Sequence, residues 1–271
     1  MKKNKATLIH HQGFGDLFTN NSLCHFYAEQ YDELVVLTYT ESRLKVLQAM
    51  YDNCSNIRCE KVDLTPSYNG ADACLNCMTY GSASRCPRDG SICKFIDYSK
   101  FKDFENIKIG CFDNFSKWES FYTSERRAGS SFSHAFYKFH NIPLKDRIDR
   151  FFVSQDVKLQ KQILESVTNE YGNDYIVTHR DTDRNFSFNV GSDVIEYNLH
   201  SKSQTMIDQI AVIENAKEIH MIDSSYSVLV YFLSFFNEKI RAIPKYLHTL
   251  GRKERDINIY NNPTPENWHF K

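Results

Sequence analysis

Apolar positions in this chain come in two kinds of segment that take turns: short continuous runs and stripes of helical spacing. Ala6 to Ile9 is a short apolar lead, and Leu17 to Tyr31 is amphipathic. Glu33 to Tyr39 is a β-branched run suited to a buried parallel strand. Arg43 to Tyr51 has helical spacing through Leu44, Val46, Leu47 and Met50, and Ile57 to Val62 alternates like a third strand. The order β-α-β-α-β is the doubly wound pattern. Regularity then stops from Pro66 to Ile96, which is polar and bears Gly, Ser and Cys. Asn106 to Phe112 reads as another strand. The aromatic-rich stretch Phe115 to Phe139 reads as amphipathic helices packing on the sheet, with an acceptor-facing segment as the alternative. Asn141-Ile-Pro143 closes it, which predicts domains at 1–142 and 143–271.

The alternation begins again in the second half. Arg150 to Val153 is a strand candidate, and Asp156 to Tyr171 a helix with Val157, Leu159, Ile163, Leu164 and Val167 on one side. Asp174 to Asp181 is a strand entering a polar loop, Asp193 to Leu199 a strand, Gln204 to Ala216 a helix and Glu218 to Asp223 a strand. Ser224 and Ser225 turn into an apolar helix, Tyr226 to Phe236; Lys239–Ile243 and Asp256–Tyr260 complete the set. The fold class is α/β, with two Rossmann-like halves facing one another, a standard way to build a cleft for a nucleotide-bearing substrate.

Composition narrows the partners. The 271 residues carry 33 basic and 34 acidic side chains, so nothing marks a nucleic-acid or anionic-membrane binder. Only about four apolar residues follow the basic start, short of the roughly 7–15 of a signal peptide. No run reaches the roughly 18 apolar residues of a membrane span. The expectation is a soluble, cytoplasmic protein without a transmembrane segment, whose membrane contact is at most peripheral.

Eight cysteines are many for this length. Cys74, Cys77, Cys86 and Cys93 cluster in the insertion at about 66–96. Thiolates in pairs suit tetrahedral zinc, and an insertion without a core needs a staple. The wide spacing of Cys86 and Cys93 equally fits free thiols, and disulfides come third. A four-thiolate zinc would be structural, since it leaves no open position for catalysis.

Two stretches carry chemistry. After the first strand stand His10, His11, Gln12, Gly13, Phe14, Gly15 and Asp16. Glycines at both turn positions permit positive φ and close approach of a ligand. A helix start attracts anions, and Asp16 would repel one, so Asp16 reads as a base or a hydroxyl-binding group. His11, nearest the turn, is a candidate to assist an acceptor. The second stretch ends a strand in Asp223 and turns through Ser224 and Ser225 into the helix at Tyr226. Hydroxyls and helix-terminal amides suit a diphosphate without a metal, although the same residue types also serve as plain N-caps. His179, Arg180 and Arg184, after a second-half strand, are candidates to hold ribose or phosphate and to neutralise a leaving diphosphate.

With Gly13-Phe-Gly-Asp16 after the first strand, and Ile213-Glu-Asn-Ala-Lys-Glu-Ile219 leading through a strand to Asp223-Ser-Ser225, the chain resembles the GT-B glycosyltransferases. The likeness is to the ADP-heptose transferases and fucosyltransferase-like enzymes, and it spans both halves in order. It implies a GT-B fold with the Cys-rich insertion added to the acceptor half. It also implies an inverting transfer that needs no cofactor, from a nucleoside-diphosphate sugar to a hydroxyl of a glycan or glycoconjugate. Asp16 would be the catalytic base, and Ser224 and Ser225 would contact the donor diphosphate. Where that family places a His and small residues after the second motif, this chain has Val228, Val230 and Tyr231.

Two rival classes fit less well. A dinucleotide-dependent oxidoreductase would want a third glycine where Phe18 stands, and an acid ending the second strand, where Thr38 and Tyr39 stand. A non-catalytic zinc-bearing nucleic-acid binder would want a basic stripe, which the balanced charge denies.

Overall fold

The computed structural model describes residues 3–63, 96–110, 115–181, 186–191, 193–199, 205–250 and 265–271. Cys74, Cys77, Cys86, Cys93, Arg184 and the 256–260 segment lie outside the described residues. The chain divides into two compact units, Met1–Ser154 and Gln155–Lys271.

The first unit is built on a parallel sheet of β1 (Lys3–Ile9), β2 (Tyr31–Thr38), β3 (Ile57–Lys61) and β4 (Glu105–Lys108), in the order β3-β2-β1-β4. The central strands are apolar on both faces, with Leu8, Ile9 and Leu34 to Leu37 fully buried, as parallel strands covered on both sides must be. The stretch read as one helix is two, α1 (Phe14–Thr19) and α2 (Asn21–Ala28). They part at Asn20, whose φ of −93° and ψ of 1° leave the helix and whose side-chain amide donates to the Asp16 carbonyl at 2.9 Å. Helix α3 (Glu41–Tyr51) joins β2 to β3, and α4 (Phe115–Arg127) and α5 (Phe132–Phe139) form the aromatic layer. Trp118 is stacked on Phe136 with centroids 4.9 Å apart, and both are buried. The packing reading of that run is therefore what the structure shows for these two residues.

Arg150 ends the preceding short helix as its C-cap, and Phe151 to Val153 belongs to no sheet. Asn21 takes the place of a neighbouring strand: its side-chain amide donates to the Phe152 carbonyl at 2.8 Å and its carbonyl accepts the Phe152 N–H at 3.0 Å. The Ser154 N–H then donates to the Met50 carbonyl at 2.9 Å, and the Ser154 hydroxyl accepts the Asn53 N–H. A short helix, α6 (Asp146–Asp149), precedes this strap. The residues after Pro143 thus pack on the first unit through side-chain amides and hydroxyls, a kind of contact that hydrophobic periodicity does not register.

The second unit opens with α7 (Val157–Tyr171), capped by the Asp156 carboxylate on the Leu159 N–H at 2.9 Å. Its parallel sheet has β5 (Ile176–His179), β6 (Glu196–Asn198), β7 (Ile219–Ile222), β8 (Lys245–His248) and β9 (Trp268–Phe270), ordered β6-β5-β7-β8-β9. Three helices fill the connections: α8 (Ile210–Glu214), α9 (Ser225–Phe236) and α10 (Glu238–Ala242). The segment 239–243 is therefore mostly helix. Asn237 caps it by accepting the Ile240 N–H at 3.1 Å, and β8 starts only after Pro244. Lys245 of that strand is fully buried, and its ammonium donates to the carbonyls of Ile243 (2.6 Å) and Arg241 (3.1 Å). Among the described residues, no helix is long and apolar enough to cross a membrane.

Candidate functional site

In open parallel sheets, ligands bind outside the carboxyl ends of the strands, where the strand order reverses. In the first unit that place lies at the end of β1, and in the second at the ends of β5 and β7. The two motifs read from the sequence occupy these two places.

At the end of β1 the chain turns through His10, His11 and Gln12 into α1. Gln12 is the fastener. Its amide donates to the His10 carbonyl at 2.8 Å and its carbonyl accepts the Thr38 hydroxyl at 2.7 Å, which ties the turn after β1 to the end of β2. His10 is fully buried, and its Nδ1–H donates to the His11 carbonyl at 2.6 Å. Burial pushes His10 down to about 4 and His11 down to about 3, so both are neutral imidazoles at neutral pH.

His11 is enclosed. Its ring meets Phe136 edge-on at 4.8 Å and Trp118 at 5.5 Å. Gly110, at a φ of +64°, passes so close that a Cβ there would sit 2.9 Å from His11 Nε2 and 2.7 Å from Phe136. The structure places His11 in this aromatic packing and buries all but 6% of it.

Gly13 is the N-cap of α1 with a φ of −62°, so the positive φ expected of this turn does not occur there, and Gly15 lies inside the helix. The absence of a Cβ serves a different purpose. A Cβ on Gly13 would lie 2.7 Å from Asp16 Oδ2, so glycine makes room for the carboxylate to fold back over the turn. Asp16, third in the helix, accepts the Gly13 N–H, which is half of a capping box. Such a carboxylate ordinarily titrates low, because the helix N-terminus favours its charge. Here burial dominates and pushes Asp16 up to about 7, against the Gly13 N–H and the nearby Arg43 guanidinium, which pull it down. In the sequence alone Arg43 marks only the start of a helix. It is 8% exposed, and its Nη1 donates to the Thr40 hydroxyl at 3.2 Å.

In the second unit, His179 ends β5 and the Asp223-Ser224 turn follows β7. The structure brings them together: His179 Nδ1 and Ser224 Oγ are 3.0 Å apart, and the Tyr226 ring lies 4.6 Å from the imidazole. The Tyr226 hydroxyl donates to the Leu199 carbonyl at 2.8 Å. Ser224 is the N-cap of α9, with its own N–H donated to Ser227 Oγ at 3.0 Å. The Ser227 N–H in turn donates to the Ser224 side chain, a reciprocal capping box, and the N–H groups of Ser225 and Tyr226 precede it in the first turn.

Arg180 is differently placed. Its guanidinium pairs with Glu196 at 2.5 Å, donates to the Phe188 carbonyl at 3.0 Å, and lies over the Phe188 ring at 4.7 Å. Its charge is already matched within the unit. Among the described residues, no group of three or more His, Cys, Asp or Glu side chains could hold a metal ion.

No protein-family model matches the chain, and no curated protein matches its sequence. Among solved structures, the glycosyl transferase family 9 protein from Veillonella parvula DSM 2008 aligns with a TM-score of 0.50 at 9% identity, over 100% of this chain and 86% of that one. At that identity the likeness is one of fold.

Proposed function

We propose that this chain is an inverting, metal-independent glycosyltransferase that moves a sugar from a nucleoside-diphosphate sugar to a hydroxyl of a glycan or glycoconjugate. The observation that carries the reading is Asp16, a half-buried carboxylate at the carboxyl end of β1 whose burial sets its pKa near the operating pH of a general base. Asp16 takes the proton of the acceptor hydroxyl as that oxygen attacks the anomeric carbon. The bond from that carbon to the donor diphosphate breaks on the opposite face, and the configuration inverts.

The departing diphosphate is stabilised by the first-turn N–H groups of α9 and the hydroxyls of Ser224 and Ser225. In the tautomer that carries its proton on Nδ1, His179 donates to Ser224 Oγ and leaves the Ser224 hydroxyl proton for a phosphate oxygen. These groups supply the positive potential that a metal would otherwise provide. Against the dinucleotide alternative, the buried Thr38 hydroxyl at the end of β2 is already committed to Gln12, where a ribose-binding acid would be needed.

The test is a panel of UDP-, GDP-, ADP- and CMP-sugars with EDTA present, assayed for donor hydrolysis and transfer, on wild type and Asp16→Asn. Turnover of one donor without metal, lost in the variant, is the expected result. If NAD alone binds, or if every donor is inert with and without magnesium, the transferase reading fails.

A further inference from the structure

Every buried cation needs an answer, and most of the cations described here have one. Arg58 pairs with Glu33, Arg150 with Asp146, Arg180 with Glu196, and the buried Lys245 with two carbonyls. Arg43 does not. It is 92% buried (8% exposed), and among the described residues its only donated hydrogen bond goes to Thr40 and its Nε has no partner. Among the described residues, no carboxylate forms an ion pair with it; Asp16 acts on it only through space. Leaving a buried guanidinium half-answered costs free energy in the empty protein.

Its surroundings hold it ready. The guanidinium lies 5.7 Å from the centroids of both the Phe14 and the Tyr39 rings, so aromatic faces fix its plane without consuming donors. Nη1 donates to Thr40, while Nε is buried without a hydrogen-bond partner among the described residues, a charged donor that a nearby oxyanion would answer. Arg43 also stands in the first turn of α3, at the carboxyl end of β2, beside the end of β1 that bears Asp16. The Gln12–Thr38 bond locks these two strand ends together.

We propose that Arg43 is an anion-binding residue for the acceptor: it grips a phosphate or carboxylate carried next to the hydroxyl that Asp16 deprotonates. This rests on the transferase reading, and it narrows the acceptor to an acidic sugar or sugar phosphate.

The test uses sulfate, whose charge is constant across neutral pH, with glucose 6-phosphate and glucose, at fixed ionic strength. Melting temperature is read for wild type, Arg43→Met and Asp16→Asn. Sulfate and glucose 6-phosphate should each raise the wild-type midpoint by about 3 °C near saturation, the sugar phosphate at lower concentration, and glucose should not. Arg43→Met should melt at or above the wild type when empty and lose both responses. Asp16→Asn should bind sulfate about threefold more tightly, because a nearby negative charge is gone. An Arg43→Met protein that responds like wild type, or a wild type that ignores both anions, overturns the proposal. Equal concentrations of sulfate and sugar phosphate for half the effect would overturn the assignment to the acceptor. Nucleoside-diphosphate binding, read separately with Ser225→Ala, tests the transferase reading itself: its loss there with an intact sulfate response would leave the two readings apart.

Discussion

The two strand–turn–helix units at β1/α1 and β7/α9 are the same supersecondary device with opposite electrostatics. After β7 the chain offers hydroxyls and then α9, twelve residues long and almost wholly buried. After β1 it offers a carboxylate, and α1 is six residues long. A long helix start lined by hydroxyls attracts an anion. A short one with a buried acid folded over its cap repels an anion and keeps a proton acceptor near neutrality. The difference teaches that a glycine-bearing turn after a strand does not by itself mean phosphate. The third residue of the helix decides which chemistry the turn can support.

The largest expected effect comes from removing that third residue. Asp16→Asn should lower turnover by about 10²–10⁴-fold with little change in donor affinity. It should also stabilise the protein above pH 7. Burial raises the folded-state pKa of Asp16, so between pH 3.8 and about 7 the folded state holds a proton that the unfolded chain has released. Stability therefore falls as pH rises through this window, and the asparagine variant should lack that part of the slope in a series of melts. A variant with the wild-type slope would mean that Asp16 titrates as an ordinary exposed acid, and the contrast between the two turns would collapse.

Gly13→Ala sharpens the comparison at lower amplitude. At a φ of −62° alanine is tolerated by the backbone, so the midpoint should hold within about 1 °C. The new Cβ would lie 2.7 Å from Asp16 Oδ2 and must move the carboxylate, so turnover should fall by roughly tenfold. The contrast is Gly110→Ala, where φ is +64° and the Cβ meets His11 and Phe136. There the loss should be of stability, about 2–4 kcal/mol by denaturant titration.

On the other side of the comparison, Ser224→Ala removes a hydroxyl held by His179 and should weaken nucleoside-diphosphate binding by about tenfold, measured by calorimetry without metal. The smallest expected effect belongs to Arg180. Because its charge is already matched by Glu196, Arg180→Gln should change diphosphate affinity by less than about threefold. A larger loss would show that the arginine leaves Glu196 when the donor arrives.

Much of the framework was legible in the chain. The runs at 6–9 and 33–39 became β1 and β2 because strands buried on both faces must be continuously apolar, and the alternating run at 57–62 became the edge strand β3. The Asp16 and Ser224 turns were legible because strand ends and helix starts have their own residue types. The strap at 150–154 was not, because Asn21 satisfies it with one side chain from 131 residues away. Nor was strand β8, which follows directly on a helix set by the Asn237 cap.

The sequence by itself determined the two α/β layers, the place of each turn and the residue types at them, since periodicity and capping are local properties. Only the tertiary structure decided what those residues are. It raised the pKa of the Asp16 carboxyl toward neutrality, enclosed His11 among aromatic rings, committed Arg180 to Glu196 and left the Arg43 Nε without a partner among the described residues. The physical reason is that burial and charge pairing depend on neighbours brought together by folding, and a side chain's chemistry follows from those neighbours.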